Sequence, residues 1–132
     1  MWIVYGFQSM HDDTLQLIQR GHDFRCFTDA VAQTHGRGIQ VCTHLILGLP
    51  GEDRKKIHQT ANTVAALDID GVKIHLLYII KGTPLERLYR QRRYTCLEQK
   101  GYVSLVCDVL ERLPPDMVIH RLTGDPDRKS VV

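Results

Sequence analysis

The chain has 132 residues, 43% hydrophobic and 24% charged. That balance suits one ordinary globular domain and excludes extensive disorder. Seventeen Lys and Arg against fifteen Asp and Glu leave a formal charge of +2, too small to argue for a nucleic-acid partner on charge alone. No apolar run approaches the roughly 18 residues of a membrane span. The opening MWIVYGFQSM lacks the basic leader and long apolar core of a signal peptide. The expectation is a cytoplasmic chain, off the membrane, with reduced thiols.

The first predicted element is a strand, WIVYGF from Trp2. Asp12 or Asp13 then caps a short helix that Gly21 stops. Asp23 caps a second helix, with Phe24, Phe27 and Val31 on one face and Gly36 beyond its end. A second strand, Ile39 to Gly48, stops in Gly-Leu-Pro-Gly and passes to Glu52 and Asp53. Asp53 caps a helix in which Ile57, Ala61, Val64 and Leu67 fall at helical spacing. A third strand runs from Gly71 to Ile80, and Thr83-Pro84 starts another helix in the favoured way. Thr95 to Glu98, TCLE, has the form of a capping box. The helix after it has Val103, Val106 and Leu110 on its apolar face, with Gly101 inside and Pro114-Pro115 at its end. Met117 to Leu122 is a fourth strand, and TGDPDRKSVV reads as a frayed tail. Strands alternating with helices predict a parallel α/β sheet. The chain starts inside a strand, with nothing before Trp2 to turn or cap it, so it reads as cut rather than begun.

Strand side chains alternate between faces. In the second strand Cys42, His44 and Ile46 share one face; in the third, Lys73, His75, Leu77 and Ile79 do, opposite Val72, Ile74, Leu76 and Tyr78. In the first, Val4, Gly6 and Gln8 share a face. The polar faces point away from the helices. In a doubly wound sheet Lys73 then needs a partner; in a barrel those residues line the lumen near an active-site mouth. On alternation alone, His44 and His75 are equally readable as hydrogen-bonded core histidines. Gly48 and Gly51 suit a close backbone approach to a ligand and equally suit a plain βα turn. The turn is neither a Walker loop nor a dinucleotide fingerprint.

Six stretches carry a family resemblance: GFQS at Gly6–Ser9, LQLIQRGHDF at Leu15–Phe24, HLILGLPGED at His44–Asp53, GVKIHLL at Gly71–Leu77, KGTPLERLY at Lys81–Tyr89 and LPPDMVIHRLTGDP at Leu113–Pro126. Together they resemble the YhcC-like radical S-adenosylmethionine (radical SAM) proteins, more distantly the elongator catalytic subunit and oxygen-independent coproporphyrinogen oxidase. The resemblance implies the carboxyl-terminal half of a partial (β/α)6 TIM-like barrel over residues 1–124, outer helices included, and a flexible tail over 125–132. In the family a [4Fe-4S] cluster sits on a Cys-x3-Cys-x2-Cys loop. It chelates S-adenosylmethionine, whose reductive cleavage yields a radical that abstracts hydrogen from substrate. Carried over by position, the implied cofactor-facing residues are Gln8, Ser9, Arg20, His44, Ile46, Gly48, Lys73, His75 and Leu77, with Arg20 placed to pair a carboxylate.

Several departures matter. Val4 stands where the family tends to have a cofactor-facing glutamate, and Gln19 stands in place of an asparagine. Cys26, Cys42, Cys96 and Cys107 are scattered, and no Cys-x3-Cys-x2-Cys occurs. The expectation is therefore a fragment of a radical SAM enzyme, with no cofactor bound to this chain alone. Its partner is the missing amino-terminal half of the barrel, or else the chain self-associates through its open strand edge and a lumen carrying Ile46, Leu77 and Ile79. Two alternatives stand beside this reading. One is a non-catalytic remnant. The other is a small binding module for RNA or protein, supported for RNA by RLYRQRRY at Arg87–Tyr94. A zinc site from His22, His44, His75 or His120 has no close ligand pair behind it.

Overall fold

The computed structural model describes residues 1–18, 20–94 and 97–122. Its strands are β1 (Trp2–Gln8), β2 (Gln40–Leu47), β3 (Gly71–Leu76) and β4 (Val118–Arg121). They form one sheet in the order β1-β2-β3-β4, with every neighbouring pair parallel. Between β1 and β2 come α1 (Asp12–Leu17) and α2 (Phe24–Thr34); α3 (Arg54–Ala66) joins β2 to β3; α4 (Pro84–Arg90) and α5 (Gln99–Arg112) precede β4. This is the α/β arrangement of part of a (β/α) barrel, as the strand–helix alternation predicts.

Local chemistry starts the helices where the sequence indicates. Asp23 accepts a hydrogen bond from the Cys26 N–H at 2.8 Å, and Asp53 one from the Lys56 N–H at 2.9 Å. Thr83 accepts from the Glu86 N–H at 3.3 Å, with Pro84 opening the helix. Each cap satisfies an N–H that a helix start leaves without an intrahelical partner.

The core lies between the helices and one face of the sheet. Phe7, Leu45, Leu47, Val72 and Ile74 face Phe27, Val31, Ile57, Ala61, Val64, Leu105 and Val109, all buried. The Phe7 and Phe27 rings stack with centroids 4.0 Å apart, which seats α2 on β1. Ala61 and Val64 are fully buried in this core, where α3 packs beside α5.

Five expectations change. The α1 cap is His11, and Asp12 and Asp13 sit in the first turn, where negative charge favours the helix N-terminus. α1 ends at Leu17, short of Gly21. α5 buries Tyr102, Leu105, Val106 and Val109, while Val103 is 52% exposed; the inward stripe follows Tyr102 at i, i+3, i+4 and i+7. β3 ends at Leu76, where its pairing with Leu47 ends, so strand alternation assigns no face to Ile79, which is fully buried. Glu98 is the α5 cap and makes no side-chain cap bond. The rest of the expected capping box, Thr95 and Cys96, lies outside the described residues, as does the 125–132 tail.

Two substitutions test this account by chemical denaturation. Asp53→Ala should lose about 1 kcal/mol through the missing cap bond. Gly101→Ala should gain about 0.5–1 kcal/mol, because Gly101 is helical and an added Cβ would meet nothing within 4 Å.

Candidate functional site

The face of the sheet opposite the core carries the polar strand residues. The β2–β3 register sets His44 beside Lys73 and Ile46 beside His75. The two imidazoles lie with centroids 5.0 Å apart and planes tilted by 51°. The β3–β4 register slips after Val72, so Lys73 pairs with Arg121. His44, Lys73 and Arg121 thus form one row across three strands. At the slip, His120 meets Trp2 edge-on at 4.5 Å. This closure needs Gly71: a Cβ there would lie 2.8 Å from the His120 ring and 3.0 Å from Trp2.

At the carboxyl ends of the strands the remaining candidates spread out. Gln8 ends β1 in the left-handed region, at φ 67°, a conformation costly for a residue with a side chain and concentrated at functional sites. Its amide nitrogen and Arg20 Nη2 both come over Gly6, about 3 Å from where a Cβ would be. Arg20 Nη2 donates to the Gly6 carbonyl at 3.4 Å, not to a carboxylate. Ser9 is fully buried and donates to Glu52, while its oxygen accepts from the His11 N–H at 3.1 Å. Gly48 turns at φ 89°; the Tyr94 hydroxyl donates to its carbonyl at 2.5 Å, and Leu97 stands 3.0 Å from its Cβ position. Leu77 lies in an apolar cleft of about 270 Å³ with Leu17, Pro50, Ile80, Leu85 and Leu88.

Among the described residues, three buried polar atoms on the open face have no hydrogen-bond partner: Gln8 Oε1, His44 Nε2 and His75 Nε2. A buried polar atom left without a partner costs about 1–3 kcal/mol. That makes the alternative of hydrogen-bonded core histidines a poor fit. Burial holds both imidazoles below the usual histidine value. For His44 the neighbouring charges of His75, Lys73 and Arg121 add to this, and for His75 those of Arg121 and Lys73. Burial likewise pushes the Cys42 thiol up.

The structure therefore brings His44, Lys73 and His75 together, with Ile46 between the strands. It puts Gln8 and Arg20 together over Gly6, and leaves Ser9, Gly48 and Leu77 on separate contacts. Arg121 is the residue that sequence reasoning missed: it reaches the row because the register slips, and slips of this kind carry no signature in alternation. Glu52 was also passed over, although its place beside Asp53 after the glycine turn was visible. Cys26 is exposed on α2, Cys42 is buried in β2 and Cys107 is exposed on α5. No group of three His, Cys, Asp or Glu fit for a metal ion exists among the described residues.

A parallel sheet with one helix-covered face and a polar opposite face, its loops and cleft at the carboxyl ends, has the layout of a segment of an α/β barrel. Two family models match the chain: the Radical SAM superfamily over residues 2–64 and the Radical SAM C-terminal domain over 69–132. The chain belongs to the radical SAM superfamily. It is 48% identical to YtqA of Bacillus subtilis over 125 residues, which is 95% of this chain and 39% of YtqA. It is 34% identical to YhcC of Escherichia coli over 132 residues, which is all of this chain and 43% of YhcC. The chain thus spans about two fifths of the length of these relatives. The solved structure of the archaeal Elp3 from Methanocaldococcus infernus, with an N-terminal deletion, superposes with a TM-score of 0.82 at 21% identity. The match covers 97% of this chain and 30% of that one. The barrel expectation holds as to fold.

The histidines predict a pH dependence. Their folded pKa values lie below the unfolded value of about 6.5, so between the two the unfolded chain binds more protons. Stability is then full above pH ~6.5 and falls as pH drops through that value toward the folded pKa values. Urea titrations from pH 8 to 5 should show a shallower acid loss for the His44→Gln/His75→Gln double variant. Equal slopes would mean that the two rings are not held neutral by the fold.

Proposed function

We propose that this chain is the carboxyl-terminal part of a radical SAM barrel enzyme and supplies one wall of its cofactor and substrate lumen. The observation that carries the reading is the set of orphaned polar atoms, Gln8 Oε1, His44 Nε2 and His75 Nε2, on the face that the helices leave open. Gln8 stands at the mouth with Arg20 beside it and offers an amide to the polar end of S-adenosylmethionine. Ile46 and Leu77 give apolar surface for its adenine, and Gly48, packed under Leu97 and bonded by Tyr94, shapes the turn beside them. Ser9, tied to Glu52, holds the turn after β1 against the turn after β2. Lys73, His44 and His75 face the substrate. When bound, S-adenosylmethionine and a reduced [4Fe-4S] cluster supply hydrogen-abstracting radical chemistry.

The cluster loop belongs, in this reading, to polypeptide outside the 132 residues. β1 has β2 on one side and an open edge on the other, and an open edge is where a further barrel strand, or a second copy of this chain, pairs. Among the described residues no helix is long and apolar enough to cross a membrane, in keeping with a cytoplasmic place of work.

A second reading, RNA binding, has one observation in its favour. Tyr89, Arg90, Arg92 and Tyr94 line a shallow pocket after α4, and Arg87 and Arg93 are exposed close by. Tyr94 is buried against Gly48, so Tyr89 is the ring open to stack on a base, with the arginines placed for phosphates. A salt-dependent affinity for RNA that falls in an Arg92→Gln/Arg93→Gln variant would favour it.

Reconstitution separates the main reading from the remnant alternative. Anaerobic iron and sulfide should give this chain alone no stoichiometric cluster and no 5′-deoxyadenosine. Co-expression with an amino-terminal radical SAM segment bearing Cys-x3-Cys-x2-Cys should give both. A cluster of about four irons on the chain alone would overturn the assignment, and a folded pair that leaves S-adenosylmethionine intact would favour the remnant.

A further inference from the structure

The lumen face is chemically one-sided. His44, Lys73 and Arg121 stand side by side across β2, β3 and β4, and His75 follows two residues further along β3. Among the described residues, no carboxylate forms an ion pair with any of the four. His44 and His75 each keep a buried ring nitrogen without a hydrogen-bond partner. Side chains on neighbouring strands at the same level stand about 5 Å apart, so the paired charges of Lys73 and Arg121 repel. Both Lys73 and the two rings are half-buried, which lessens the screening that water gives an exposed cluster.

Such a row wastes stability unless negative charge is brought to it. We propose that His44, Lys73 and Arg121, with His75 above them, form an oxyanion site that holds a phosphate or carboxylate group of the substrate on the floor of the lumen. The site rests on the barrel reading and names its substrate class. Its depth on β2 and β3 supports a substrate group rather than the cofactor, with Arg121 reaching in from the exposed end of β4. His44 and Lys73 each lie three residues before the carboxyl ends of their strands, at Leu47 and Leu76, or about 10 Å below the mouth at the usual strand rise. Arg121 offers a planar fork and Lys73 a point charge, a pair of donors that suits a multi-oxygen anion. Trp2 and His120, closed over Gly71 at the amino-terminal end, wall the site from beneath. A substrate held this way directs its uncharged remainder toward the cleft and Gln8.

The test follows the histidine ring resonances of the full 132-residue chain by NMR. Methyl phosphate and acetate are the two probes, each against sodium chloride at matched ionic strength. One of the anions should raise the titration points of His44 and His75 by about one pH unit, as an opposite charge at contact distance does. The stronger response identifies phosphate or carboxylate as the group. Lys73→Met/Arg121→Gln should weaken the response at least tenfold, Arg121→Lys should keep part of it, and Arg37→Gln, far along the chain, should leave it intact. Dispersed ring resonances in each variant certify the fold. No response, an equal response to chloride, or one that survives Lys73→Met/Arg121→Gln would overturn the site. So would a response confined to Asp125→Asn/Asp127→Asn, which would mean that the chain's own carboxylates take the row. Uncharged 5′-methylthioadenosine, added to the same samples, reports separately on the barrel reading. Its binding without an anion response sinks the oxyanion site alone, and an anion response without its binding counts against the cofactor wall instead.

Discussion

The pairing of β2 with β3 governs every placement that matters in this molecule. Cys42 to Leu47 run beside Gly71 to Leu76 without a slip, so one parity of residues on both strands faces the helices and the other faces away. A shift of one residue would carry Val72 and Ile74 into the lumen and push Lys73 into the core. The cost of burying an unpaired ammonium among Leu45, Val64 and Val109 exceeds anything the turns or caps contribute. The register is therefore set by hydrophobic burial on one face and by the refusal of charge on the same face.

That same parity explains why the open face departs from ordinary protein economy. Neighbouring positive groups, orphaned ring nitrogens and a left-handed Gln8 are each unfavourable. They gather on the side that the helices do not cover, while the covered side is apolar and closely packed. These breaches of local rules fall together on one face and at one end of one strand.

Glycines at two points let the backbone meet these demands. Gly71 leaves the space that Trp2 and His120 share, and Gly48 takes the φ of 89° that ends β2 and turns the chain toward Asp53. Between them they fix the length of the β2–β3 ladder, from Cys42 at one end to Leu47 at the other. The lumen floor and the mouth are thus both bounded by glycine, for different reasons: close approach at one end, a backbone turn at the other.

The sequence by itself determined the order of elements, the parallel class of the sheet, the caps at Asp23, Asp53 and Thr83, and the parity of His44, Lys73 and His75. These follow from interactions within a few residues of each other and from a period of two. Its motifs also carried the radical SAM family. Tertiary structure alone decided the rest. The face of α5 turned on Tyr102 rather than Val103, because packing against α3 and the sheet selects among overlapping helical stripes. The burial of Ile79 followed from β3 ending at Leu76, which depends on where β2 stops. Ser9 met Glu52 across 43 residues, and Arg20 reached the Gly6 carbonyl across 14. Arg121 joined Lys73 through a slip in strand register. Contacts between residues far apart in the chain depend on the packed arrangement of whole elements, and no local pattern encodes that arrangement.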